Sequence, residues 1–441
     1  METKMRALNE ISIVDLNDDC LLHIFRFLSI QDWLNIDLVC ERWQNLCSLL
    51  WPKVHSLNVS SEQLGCIVPE TSEDEDLASL IINLPICKKV FEKCYLNLRK
   101  INLSQMERPQ ITTLMDMWHS CSTHFYYHQL QTGTLDYLKG PLLECKNLEE
   151  LWLCRCVVNA DDVFLSKLFD THRNLRKLVL IEMELTGECF SHLSTEVLDS
   201  LVLSECVIRH PKYLNSFVSS ASNLHTLGLH CADRDPQTFT TVASPTSSRN
   251  LKGYNERGEY EYSCGLLYSI CSLKNLTILG FRHADIDNNM LRIISSNCTS
   301  LKVLDIEYCD KISNTGLSYI QSMSNLKCLN IGSIFRISDT GLSYINENLQ
   351  VLRIPSVSFS ERALVPLLRE MTQLEVLDIT GCRQFKNRFI ETVIDIVKNR
   401  KEPIPLEIGL HDTKINVKLL RDVCPLVKLN NCYQSDYSKY C

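Results

Sequence analysis

No stretch of this 441-residue chain approaches 18 consecutive apolar residues, which argues against a transmembrane helix. The first twenty residues carry no apolar run ahead of their acidic residues, so a secretory signal is not expected. Glycine is scarce, with 14 residues spread along the chain, and neither a phosphate-cradling loop nor a G-x-S-x-G elbow is present. Cys-x-x-Cys is absent as well. Basic residues are outnumbered 45 to 53, for a net charge of −8 and a pI near 5.9. That balance favours neither nucleic acid nor an anionic membrane as a partner. The 22 cysteines are too sparse for a disulfide scaffold. Without secretion they are expected as thiols, which places the chain in the cytoplasm, the nucleus or both. With no nucleophile and base in a recognisable arrangement, catalysis is not expected, and no cofactor is implied.

What is present is a repeat. The segment from Asn297 to Ile320 sets Leu301, Leu304 and Ile306 at an L-x-x-L-x-L spacing. Its last two apolar residues face one side of an extended strand while Asp305 faces the other. Ser313 to Gly316 has turn and cap composition, and Leu317 and Ile320 suit one face of a short helix. The same frame begins at Leu148, Leu175, Leu198, Leu224, Leu251, Leu276, Leu301, Leu326, Leu349 and Leu374. The intervals are 27, 23, 26, 27, 25, 25, 25, 23 and 25 residues. Further copies begin near Val54 and Leu98, two more follow near residues 404 and 425, and a degraded one is expected near 123. A dozen to fourteen units of this length indicate a leucine-rich-repeat solenoid, an α/β horseshoe with a parallel sheet on its concave side.

Register also explains the cysteine that closes many copies. With Leu301 as position one, Cys309 is ninth, and its counterparts are Cys156, Met183, Cys206, Ala232, Ala284, Ile334, Val357 and Cys382. A ligand or nucleophile could not be exchanged for Ala, Met, Ile and Val, whereas a buried hydrophobe could. These cysteines are expected to pack.

The fifth positions face outward and are the candidate target-binding row: Trp152, Asp305, Asn330, Arg353 and Asp378, with Glu307 and Tyr308 beside Asp305. Val179, Val202, Gly228 and Gly280 occupy the same row, so its N-terminal half is apolar or small and its C-terminal half polar. An arc of this length is a surface for a macromolecule rather than a metabolite. Other features carry less. His119, Cys121, His124 and His128 lack a second ligand pair at finger spacing, so no metal is expected. Thr71 to Asp76 reads as a solvated acidic loop, and Asp233 to Gly258 as a long polar loop around a degenerate repeat.

Ahead of the repeats, residues 16–47 read as helices of another kind. Leu21, Ile24, Phe25 and Leu28 form one helical face behind Asp18 and Asp19, and Ser29 to Asp32 turns the chain into a second helix. So short a segment cannot hide Trp33, Leu34, Leu38, Val39 and Trp43 by itself. Part of it should meet a partner or cap the solenoid. Leu16, Leu21, Ile24, Phe25, Leu28, Asp32, Val39, Cys40 and Trp43 resemble the pattern of an F-box, closed by Trp51. Asn17 departs from the family's proline and Trp33 from its leucine, and the first departure is expected to weaken docking. The cysteine-closed repeats resemble those of the F-box/leucine-rich-repeat family.

That resemblance implies an F-box over 10–52, repeats over 53–430 and a tail over 431–441. It implies a non-catalytic substrate receptor of an SCF-type cullin-RING ubiquitin ligase. Leu16, Leu21, Ile24, Phe25, Leu28, Val39, Cys40 and Trp43 would hold the Skp adaptor, and the concave face would hold a target protein. Two alternatives stay open: a leucine-rich scaffold or inhibitor outside any ligase, and an F-box protein that holds the adaptor without delivering targets.

Overall fold

A computed structural model describes residues 12–58, 84–103, 138–154, 160–204, 206–230, 252–254, 260–262, 264–284, 286–402, 404–416 and 424–430. The degraded copy near 123, the His119 to His128 cluster, the Thr71 to Asp76 loop, most of the 233–258 loop and the tail lie outside these residues. Among the described residues, no helix is long and apolar enough to cross a membrane.

The chain opens with three short helices, α1 (Asp18–Phe25), α2 (Ile30–Ile36) and α3 (Glu41–Ser48). Asn17 caps α1, its side chain accepting from the Cys20 amide at 2.8 Å, a bond that proline could not make. Ser29 and Asp32 form a reciprocal capping box on α2. The Trp33 indole donates to the Phe25 carbonyl at 2.7 Å, and its ring meets Trp51 edge-on. The indole therefore joins the helices to the chain that enters the repeats. Helix α4 (Leu84–Cys94) packs on α2 and brings Lys93 to 3.0 Å from Asp37. Module and repeats thus share one apolar core, which runs from Leu21 to Ile415.

Thirteen parallel strands follow, from Ser56–Asn58 to Val427–Asn430. They pair in repeat register, so that Leu304 lies between Leu279 and Leu329. One expected copy is not a rung. Thr226–His230 pairs directly with Ile278–Gly280, and the Leu251 copy instead gives an antiparallel hairpin of Lys252–Tyr254 with Tyr260–Tyr262. Lys100–Leu103 pairs directly with Glu150–Cys154. The Leu251 copy fails because Tyr254 and Glu256 stand at positions four and six, where the other copies carry Leu and then Leu, Ile or Phe. Helices and 3-10 turns cover the other face of the sheet. Strands stack at about 4.8 Å and helices at about 8–10 Å, so the sheet must lie on the inside of the curve.

Three features recur at fixed positions of the repeat. At position eight, Glu182, His283, Tyr308, Ser333, Ser356 and Asp412 have φ of 51–59°, and Gly381 has 73°. Each turns the chain off the sheet edge through the left-handed region, which is unusual for so many side-chain-bearing residues. At position nine, the thiols of Cys309, Cys382 and Cys206 donate to the carbonyls of Phe281, Ile354 and Leu180, at 2.9, 3.2 and 3.3 Å. Each acceptor is position six of the preceding rung. Cys309 is therefore buried as expected, and it also spends its one donor on a carbonyl at the end of a strand. On the convex side, Asp162, Asn288, Asn314, Asp339 and Asn387 each begin a helix or 3-10 turn and accept from a backbone amide of the next repeat. Gly316 is small for this reason, since a Cβ there would sit 2.6 Å from Asn288 Oδ1.

Candidate docking surface and the concave polar ladder

In the N-terminal module, Leu21 and Phe25 face inward and are buried, and Phe25 meets Trp43 edge-on at 5.2 Å. The opposite side leaves Ile24, Leu28, Val39, Phe27 and Leu38 exposed, the last two at 76% and 81%. Ile13, Val14 and Leu49 are exposed as well. Arg42 fixes the strand of chain ahead of α1. Its guanidinium donates to Asp18 and to the carbonyls of Val14 and Leu16, at 2.6–2.9 Å. So many large apolar side chains left in water by one short module mark a surface built to be covered.

The concave face is built differently. Asp305 and Asn330 are 0% exposed, and Asn330 Nδ2 donates to Asp305 at 3.0 Å and to Glu307 at 2.9 Å. Arg282 stands 3.7 Å from Glu307 and over the ring of Tyr308. That ring stacks on His283, and His283 on His230. One rung further along, Arg353 stands 3.8 Å from Asp378. Burial first, and then the Glu307 carboxylate, push the Asp305 carboxyl up to about 7. Burial, reinforced by Arg282, pushes His283 down to about 3 and His230 well below its ordinary value, so both imidazoles are neutral. Among the described residues no three His, Cys, Asp or Glu side chains stand together as metal ligands would.

The sequence of the module itself matches a known family model over residues 14–56. Those residues are an F-box-like domain. Across 94% of this chain and 93% of the other, the fold is similar to a chain of the yeast Rad7 and Elc1 complex, at 13% identity and a TM-score of 0.47. It is also similar to a chain of the TLR13-ssRNA13 complex, at 17% identity and a TM-score of 0.41. That likeness covers 83% of this chain but 40% of the TLR13 chain. Neither likeness bears on what the chain binds. Comparison with curated proteins finds no match.

Two corrections concern the expected site residues. Within the F-box-like domain, Ile24, Leu28, Val39 and Cys40 are exposed and Leu16 and Trp43 half-buried. Leu21 and Phe25 instead form its core, because one helical face must be spent holding three helices together. Phe27 was missed, and Leu38 was read as too large to hide but not placed among the docking residues. Phe27 falls between the residues of the inward face, and Leu38 lies where α2 gives way to a turn, so neither fits an amphipathic period. In the solenoid, Trp152, Asp305, Glu307, Asn330, Arg353 and Asp378 are buried rather than bordering solvent, and Tyr308 is half-buried. In-register parallel strands set equal positions about 4.8 Å apart, so adjacent side chains cover and bond one another. Phe335, on the loop leaving Cys328–Asn330, is 75% exposed and was not anticipated.

Proposed function

We propose that the chain is a non-catalytic substrate receptor of an SCF-type cullin-RING ubiquitin ligase, acting in the cytoplasm or nucleus. The F-box-like domain docks on a Skp adaptor, and the repeats hold a target protein that remains to be identified. The observation that carries this reading is the F-box-like domain with Ile24, Leu28, Leu38 and Val39 in water. Burying such side chains is the dominant favourable term in association. The thiols at position nine fit the cysteine-containing type of repeat. With the inner ladder buried, the target meets the loops that leave the strands, where Phe335 is exposed and Tyr308 half-buried. Catalysis comes from proximity. A held target lysine meets the ubiquitin thioester at high effective concentration, and no group of this chain enters the reaction.

The test is purification of the full chain from cells, with blotting for the Skp adaptor and the cullin. Beside it runs Leu38→Asp/Val39→Asp, whose exposed positions change stability by about 0.5 kcal/mol or less each. We expect both partners with the wild type and a loss of roughly 30-fold or more in adaptor affinity in the variant. A folded wild type that brings neither partner would sink the receptor reading in favour of a leucine-rich scaffold.

A further inference from the structure

Cys206, Cys309 and Cys382 at position nine are spoken for, but another pair is placed differently. Cys271 ends the helix Cys264–Cys271, and Cys298 follows the helix Asn288–Asn297 of the next repeat. The two helices pack against each other. The Cys298 thiol donates to the carbonyl oxygen of Ile270, the residue before Cys271, at 3.9 Å, which sets Cys298 against the end of the Cys271 helix. Cys298 is buried at 1% exposure, while Cys271 is partly open to solvent. Lys274 bonds the Cys271 carbonyl at 3.3 Å and adds positive charge at this helix end. We propose that Cys271 and Cys298 form a reversible oxidation site, at which a hydroperoxide joins neighbouring repeats by a disulfide.

The roles follow from the surroundings. The Cys298 thiol lowers the Cys271 pKa below the ordinary thiol value, against burial and with help from Lys274. The neighbouring Cys271 thiol, together with burial, raises Cys298, so Cys298 keeps its proton and directs it at the Ile270 carbonyl. A more acidic, accessible thiol beside a protonated partner is the arrangement of an attacking and a resolving cysteine. Cys382 makes the contrast: burial pushes its thiol up to about 12, and it faces a carbonyl. In the first step the Cys271 thiolate attacks one peroxide oxygen, the O–O bond breaks and hydroxide leaves, giving a sulfenic acid. Cys298 sulfur then attacks Cys271 sulfur. The S–O bond breaks, and water leaves carrying the Cys298 proton. Two thiols are oxidised, and one hydroperoxide is reduced.

Full-length reduced protein is exposed to graded hydrogen peroxide, blocked with N-ethylmaleimide, digested without reductant and mapped by mass spectrometry. We expect the 271–298 linked peptide to accumulate and to vanish on treatment with dithiothreitol. Cys298→Ser should instead leave a sulfenic acid on Cys271 that dimedone traps. Alkylation of Cys271 in the native protein should outpace that of Cys424, another partly buried thiol, by about tenfold. Wild-type mapping needs no variant to fold. If both residues stay reduced while the exposed Cys20 and Cys40 oxidise, or if Cys271 links elsewhere, the proposal is overturned.

Discussion

The F-box-like domain and the concave face both read in sequence as binding surfaces, and they are built on opposite plans. Eight of the eleven exposed large apolar side chains among the described residues lie between Ile13 and Leu49, leaving Leu96, Val163 and Phe335 for the rest. The concave row does the reverse, hiding Asp305, Glu307, Arg282 and Arg353 at 2% exposure or less. A surface waiting for a partner keeps apolar groups in water at a cost that docking recovers. The buried ladder instead has its charges set against one another within the chain. Residue type alone therefore does not identify a contact surface, because a charged residue can be core and a leucine rim.

Three substitutions test how deep the contrast goes. The largest effect is expected at Phe25→Ala, which removes a buried ring and should cost about 4 kcal/mol. Hydrogen exchange across residues 18–48 would then rise, and adaptor binding would fall because the domain unfolds. If the variant stays folded and loses only binding, Phe25 belongs to the docking surface after all. Asp378→Ala comes next. It leaves Arg353 buried without this carboxylate and should cost about 3 kcal/mol, read as a lower denaturant midpoint. The double change Arg353→Met/Asp378→Leu should regain most of that loss. No regain would mean that Arg353 draws its support from other groups.

The smallest effect concerns pH. Asp305 keeps its proton up to about pH 7 when folded, against about 3.9 when unfolded. The folded state binds more protons within that window, so this group lowers stability as pH rises from about 4 to about 7, and adds no further change above. His283 has the opposite sign. Its folded value near 3 lies below about 6.5 unfolded, so it raises stability over that interval. Only the difference between Asp305→Asn and the wild type isolates the aspartate. That difference should grow in favour of the variant up to about pH 7 and then level off. A flat difference would mean that Asp305 is ionised inside the ladder.

Much of the solenoid was legible because its signal is a period. The leucine frame, the helix carrying Leu317 and Ile320 and the packing of Cys309 all follow from spacing. Leu251 misled because position one survives there while the strand's own residues do not, and a leucine by itself cannot hold a rung. The concave row misled for a different reason. Alternation along a strand tells which way Asp305 points, but not that Asn330 stands on the next strand to bond it. That partner lies 25 residues away and in register, which only the pairing of strands reveals. The position-eight residues carried no signal, since Glu, His, Tyr, Ser and Asp share no preference for the left-handed region as strong as glycine's.

The ties between rungs have a mechanical consequence. Neighbouring repeats are joined by strand pairing and, in several rungs, by a convex carboxylate or amide clip or by a thiol on a carbonyl. Among the described residues, nothing of this kind reaches across two rungs. A force applied at the two ends of the solenoid would load these joints in series rather than together. The chain would lengthen by peeling, one repeat at a time, and tension would drop after each release.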